Sequence, residues 1–223
     1  MIKLIFSICI CWNCHIAIAE DAIDTKNTPN IYFHATKSDA TFKQRPQLSK
    51  GIFLIAGKNL NDPNFNRTVI LITDFNETGT TGLIINRPTE ILLDHVLPEF
   101  SAWSAMTKHL NIGGPVAVNR FSLLVRSDSE LPTAESQHVF DNVYLVNTLE
   151  LLTQVPNEDL NKSFFKLYVG YSGWATGQLE TELLRGDWHI WHADTETIFD
   201  SANDEIWRNL LELATAKWVM LSN

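Results

Sequence analysis

The sequence predicts an α+β fold, and three observations carry that reading. Short apolar runs rich in β-branched residues outnumber the stretches with helical periodicity. The two kinds do not alternate strictly, as a doubly wound parallel sheet would require. A polar link of hairpin length, Asn76 to Thr81, joins two of the apolar runs and carries Gly79.

The chain starts with a segment to be set aside from the fold. Lys3 precedes an apolar run from Leu4 to Trp12, and Ala17-Ile18-Ala19 closes it. Positive charge, apolar core and small-residue exit, in that order, are the pattern of a secretory signal. Residues 1–19 are therefore expected to be removed and the protein to be periplasmic or secreted. Leu4 to Ala19 is short for a membrane span and contains Asn13 and His15, so an uncleaved anchor is the alternative. Cleavage after Ala19 would remove Cys9, Cys11 and Cys14, the chain's three cysteines. The mature protein would then have no disulfide, thiolate nucleophile or cysteine metal site. Residues 20–49 are polar, without a sustained period, and read as a flexible tether. The folded domain is expected to occupy residues 50–223.

Within that domain Gly51–Ala56, Thr68–Thr73 and Gly82–Ile85 read as strands. A short helix is expected after Pro88, with Ile91, Leu92, His95 and Val96 on one face, ending near Pro98. Phe121–Val125, Val139–Val146 and Phe164–Val169 read as further strands. Asn147 with Glu150 three residues on is a capping-box start for a helix through Gln154. Gln178–Arg185 is expected to be a helix, with Gly177 ahead of it and Gly186 capping its end. A last helix from near Ser201 would place Ile206, Leu210 and Leu213 on one face.

Composition bounds the partners. With 45% hydrophobic and 19% charged residues the chain has the make-up of a soluble globular protein. Its formal net charge is −9 and its lysines and arginines form no run. Duplex binding needs such residues to displace phosphate counterions, so nucleic acid is excluded as a direct partner at this stage.

The densest signal is Gly170-Tyr171-Ser172-Gly173-Trp174-Ala175-Thr176-Gly177-Gln178-Leu179-Glu180. It reads as a glycine-punctuated loop that turns an apolar strand into a helix. Gly170 to Gly173 has part of the nucleophile elbow of serine hydrolases, but Trp174 stands where the elbow needs glycine. No Lys-Ser or Lys-Thr follows the last glycine, as a P-loop requires, and the glycine spacing misses the dinucleotide fingerprint. What remains is an anion or ligand site at the helix start, or a tight corner with Trp174 packed in the core.

The other candidate residues are fewer. Gly113-Gly114-Pro115 is strong turn chemistry. Arg87, in Asn86-Arg87-Pro88, could hold a carboxylate or phosphate bidentately or pair with an acidic neighbour; Arg67 is the other charged residue of interest. His189 and His192 would point to opposite faces of a strand, so no metal site is expected from them, and no cofactor is expected. Glu180 and Glu182 likewise fall on different faces of a helix.

Six stretches, taken in order, resemble the YqgE/AlgH family of bacterial proteins. They are Gly51–Ala56, Asp62–Val69, Gly82–Pro88, Gly113–Val116, Gly170–Trp174 with Gly177–Glu180, and Trp188 followed by Ala193-Asp194 and Ile198-Phe199. The resemblance spans about Gly51 to Leu213. It implies a strongly bent, mostly antiparallel sheet that curls into a pseudo-barrel with helices packed outside. It implies no settled molecular activity, and no DNA-binding motif despite a proposed regulatory role. Family members are commonly cytoplasmic, which makes a cytoplasmic location a further alternative to export, and they often have alanine where this chain has Ser172.

The functional expectation is a non-enzymatic binding or adaptor protein, taking a protein or a small anionic ligand. Its expected binding residues are Arg87, Gly113, Gly114, Gly170, Ser172, Gly173, Trp174, Gly177, Gln178 and Glu180. A hydrolase or transferase using the Gly170–Gly177 segment as an anion cradle is one alternative. An indirect regulator of gene expression is the other.

Overall fold

The computed structural model describes residues 47–96, 98, 109–131, 134, 136–148 and 164–221. Residues 1–46, which hold the signal and most of the tether, and residues 149–154 of the expected helix lie outside these residues; the tether's Leu48 packs against the core. Those described fall in one compact unit, Lys43–Asn223.

The strands are β1 (Ile52–Ala56), β2 (Val69–Asn76), β3 (Gly79–Ile84), β4 (Pro88–Leu92), β5 (His109–Ile112), β6 (Val116–Arg126), β7 (Ser136–Phe140), β8 (Val143–Val146), β9 (Phe164–Ala175) and β10 (Trp188–His192). The helices are α1 (Leu93–Val96), α2 (Gln178–Arg185), α3 (Thr195–Phe199) and α4 (Asn203–Leu221). Along the main path the strand order is β10-β1-β2-β3-β9-β6-β8-β7, with β4 paired to β5 and β5 to β9. Every pairing is antiparallel except β5 with β9.

The sheet is strongly curled, and side chains from its far end meet its near end. Gln137 Nε2 on β7 donates to the Thr73 carbonyl on β2, and Lys50 Nζ ahead of β1 donates to the His138 carbonyl. The curl wraps a core of Phe53, Ile55, Leu71, Leu83, Leu124 and Tyr168. The fully buried β1 and the buried Val69–Thr73 half of β2 read as continuous apolar runs for that reason. Helix α4 seals the core with Ile206, Leu210, Leu211 and Ala214. No helix among the described residues is long and apolar enough to cross a membrane.

Several sequence expectations hold. Glu77 and Thr78 turn the β2–β3 hairpin. Gly186 caps α2 in the left-handed conformation, its N–H donating to the Glu182 and Leu183 carbonyls. Four expectations need correction. Pro88–Leu92 is a strand paired with β5, so the helix there is only Leu93–Val96 and buries Leu93. Val139–Val146 is two strands, because Asp141 adopts φ 42° and turns the chain back on itself. Leu213 is 52% exposed, and Leu211 and Ala214 take the buried positions instead.

The fourth correction matters most. Gly170 to Ala175 is not a loop: β9 runs unbroken from Phe164 to Ala175. Its first half pairs with β6 and β5; beyond Gly170, Tyr171 keeps one pairing with Val116 of β6 while Ser172–Ala175 pair with β3. Gly170, at φ +67°, is where the strand changes partners. There the backbone of Gly113-Gly114 crosses it at van der Waals range, so this pair is a close crossing rather than a simple turn. A Cβ at Gly170 would overlap the Gly114 carbonyl, and one at Gly114, at φ +155°, the Tyr171 carbonyl. A Cβ at Gly177, at φ +77°, would meet nothing within 4 Å.

That contrast predicts unequal costs. Gly114→Ala and Gly170→Ala should each destabilise by more than about 3 kcal/mol or prevent folding, because strain and overlap add. Gly177→Ala should lose only about 1 kcal/mol of left-handed strain. Urea unfolding of the three variants checks this; equal losses would refute the crossing.

Candidate functional site

The residues singled out in the sequence fall into three groups. The first is the glycine crossing. Gly113 donates its N–H to the Val169 carbonyl, and its own carbonyl accepts from Ile84 N. The same carbonyl accepts the Ser172 hydroxyl at 3.1 Å. Ser172 is fully buried, so its oxygen is held in the crossing rather than presented for attack.

The second group surrounds Trp174, which is 5% exposed. Strand β9 delivers it beside Trp188 of β10, with ring centroids 6.0 Å apart, and Phe65 packs on both. The two indole N–H groups converge on one oxygen: Trp174 Nε1 and Trp188 Nε1 each donate to Glu182 Oε2 at 2.9 Å. Gln178 completes the arrangement. Its Oε1 accepts from Ala175 N and its Nε2 donates to Glu182 Oε1. Gly173, Gly177, Gln178 and Glu180 are exposed. An anion at the start of α2 would meet the carboxylates of Glu180 and Glu182 there.

The third group is built on Arg87, whose guanidinium donates to the Asn64 and Asn66 carbonyls. Burial pulls its pKa below the ordinary arginine value, against the opposing influence of Asp62. Its neighbour Asn86 accepts from Val69 N and donates to the Arg67 carbonyl at 3.0 Å. The two residues brace the Asp62–Thr68 loop from opposite sides. That loop seats Phe65 against the tryptophans and aims Arg67, held at φ 55°, over the Trp207 ring at 5.6 Å. The three groups are thus separate, and no single surface collects the ten residues.

The histidines at 189 and 192 lie on β10, three residues apart and hence on opposite faces. Burial pushes His189 below the ordinary imidazole value, which keeps it neutral near neutral pH.

Two clefts were not foreseen. One, of about 220 Å³, opens on the inner side of the curl at the bend of β9. Its lining comes from six strands and includes Asp74, Arg120, Ser122, Gln137, Asn147 and Tyr171. The other, of about 420 Å³, lies between Arg67 and the start of α4. Neither lining is contiguous in sequence; the alternation of polar residues in β6 and β7 was the only signal for the first.

A curled antiparallel sheet closed by its own glycine crossing, with a loop braced onto an aromatic cluster, defines a distinct α+β class. The AlgH-like family (DUF179) matches residues 53–218, and the chain belongs to it. A UPF0301 protein of Cytophaga hutchinsonii is 32% identical over 177 residues, 79% of this chain and 95% of that protein. A UPF0301 protein of Chlorobium limicola is 32% identical over 179 residues, covering 79% and 92%. The solution structure of AlgH from Pseudomonas aeruginosa superposes with a TM-score of 0.58 at 27% identity, covering 76% of this chain and 92% of that one. A Corynebacterium diphtheriae protein (DIP2367) shares the fold, with a TM-score of 0.64 at 22% identity, covering 76% and 89%. The molecular activity of this family is uncharacterised.

The aromatic cluster makes a testable demand. Glu182→Ala leaves two indole donors of largely buried tryptophans without an acceptor. It should cost about 2 kcal/mol of stability and alter the tryptophan emission. Glu182→Gln keeps an acceptor and should recover most of that loss in urea unfolding followed by fluorescence.

Proposed function

We propose that this chain is a non-enzymatic binding or adaptor protein that acts after export, with the cleft at the β9 bend as its ligand seat. The observation that carries the reading is the cleft's charge pattern. Arg120 and Asp74 both line it, and Arg120 makes no ion pair among the described residues. Among the described residues the Asp74 side chain accepts from a neutral amide donor, Asn76 Nδ2, at 2.7 Å. Thr81, Ser122 and Tyr171 also line the cleft, the Ser122 hydroxyl donating to Asn147 Oδ1. Such a lining suits a ligand with one anionic end and hydrogen-bonding groups beside it, as a small carboxylate or the carboxyl terminus of a protein partner has. The sequestered hydroxyl of Ser172 supports binding over acyl-transfer chemistry at the glycine segment.

Isothermal titration of the full chain with Ala-Ala-Ala and with its carboxyl-terminal amide tests the seat. The free carboxylate should bind and the amide should not, and Arg120→Ala should weaken binding about tenfold or more. Equal binding of the two peptides, no binding of either, or binding indifferent to Arg120 would refute it.

The export part rests on the Met1–Ala19 pattern. Cell fractionation with amino-terminal sequencing should find a periplasmic chain that starts at Glu20. A full-length chain in the cytosolic fraction would refute export and return the intracellular roles to consideration.

A further inference from the structure

We propose that the cleft between the Asp62–Thr68 loop and the start of α4 is a second ligand site. Its ligand is an oxyanion that also presents a hydroxyl: hydrogen phosphate or a hydroxylated phosphate ester. The cleft measures about 420 Å³ and is lined by Arg67, Asn86, Asn203, Asp204, Trp207 and Arg208. Arg120 is not part of it, so the site stands or falls apart from the seat at the β9 bend.

Charge comes first. Arg67 and Arg208 both face the cleft, and neither makes an ion pair among the described residues. The chain has 26 acidic residues against 17 lysines and arginines, so acidic partners are in ample supply. Two unpaired guanidiniums on one concave surface are what an oxyanion requires, because each can offer a fork of N–H donors.

Preorganisation comes second. Arg67 holds a left-handed backbone, φ 55°, which a non-glycine residue keeps only when its surroundings impose it. They do so here: Asn86 Nδ2 donates to the Arg67 carbonyl while Asn86 Oδ1 accepts from Val69 N at 2.9 Å. The guanidinium then lies 5.6 Å from the centre of the Trp207 ring. Trp207 is itself fixed, its Nε1 donating to the Ala56 carbonyl at 2.8 Å. The arginine is thus placed before any ligand arrives, which lowers the ordering cost of binding.

The third observation sets the ligand's chemistry. Asn203 Oδ1 is buried in the cleft wall and accepts no hydrogen bond from the described residues. Asp204, the next residue of α4, also lines the cleft. Two acceptors next to two guanidiniums call for an anion that brings a donor of its own. Sulfate, fully ionised near neutral pH, has none. Hydrogen phosphate keeps one O–H, and a sugar phosphate carries several on its organic part. The cleft's volume leaves room for the latter. Free amides at the start of the 19-residue helix α4 add a favourable field for the negative charge.

The test is isothermal titration of the full chain, at matched ionic strength near neutral pH, with inorganic phosphate, ribose 5-phosphate and sulfate. At least one of the two phosphates should saturate the site, with sulfate about tenfold weaker or more. The tighter of the two phosphates then identifies the source of the ligand. Arg208 is exposed, so Arg208→Ala should keep the thermal unfolding of the free protein while weakening phosphate binding about tenfold. Asp204→Asn should bring sulfate closer to phosphate. Sulfate binding as tight as phosphate, no saturable phosphate binding, or binding unchanged in Arg208→Ala would overturn the proposal. A preference over sulfate that survives Asp204→Asn unchanged would overturn the part given to Asp204.

Discussion

The fold turns on one backbone crossing, where Gly113-Gly114 meets Gly170 and Tyr171. A twelve-residue strand cannot keep the same neighbours along its length in a sheet this curved. Strand β9 resolves the conflict by bending at Gly170, in a conformation that only glycine adopts without strain. Before the bend it lies between β5 and β6, and after it pairs with β3. The close approach of Gly113-Gly114 is what β5 needs in order to run parallel beside β9 and then leave it. The buried Ser172 hydroxyl ties the two backbones together from within. Substituting any larger residue at the crossing would push the strands apart and uncurl the sheet.

From that bend the aromatic cluster follows. Once past Gly170 the strand delivers Trp174 to the outer face, against Trp188 and Phe65. Burying two indoles leaves two N–H groups to satisfy, and Glu182 accepts both with one oxygen. Helix α2 is therefore positioned by a polar bond as well as by Leu179. Phe65 links this cluster to the Asp62–Thr68 loop, and Arg87 with Asn86 holds the same loop by its carbonyls. A guanidinium is suited to that task because its fork reaches two oxygens at once. Its position reflects loop architecture, and the neighbouring Arg67 is the one that lines the cleft, lying over the Trp207 ring.

The α+β class was legible because it depends on the count and order of apolar runs, and β1, β2 and α2 each carry enough pattern to be read alone. The α2 boundaries were clear from Gly177 and Gly186, whose roles are local. What was not legible depended on tertiary pairing. Pro88–Leu92 has the spacing of a helix face, yet β5 converts it to a strand by pairing with it. The Gly170–Ala175 stretch has loop composition, yet its glycines serve a crossing with residues more than fifty positions away. Asp194 was a missed local signal: its carboxylate accepts from Thr197 N and starts α3. The family resemblance identified the positions that build the fold and so pointed to Arg87 and the glycines. The cleft residues Arg120, Asp74 and Arg208 carry no motif, since a cleft gathers single residues from distant strands.

The chain's overall charge constrains how either cleft can bind an anion. A molecule with net charge −9 repels anions at long range, so neither cleft gains a steered approach from the field of the whole protein. Affinity must come from short contacts inside the cleft, where screening by salt is weaker than at the open surface. That requirement favours fixed cations over mobile ones. Arg67 satisfies it through its strained backbone and its seat on Trp207. A repulsive surround with a few preorganised guanidiniums excludes casual counterions while admitting a ligand that matches the cleft's donors and acceptors. On the proposed reading of the two clefts, selectivity follows from the protein's acidity as much as from its arginines.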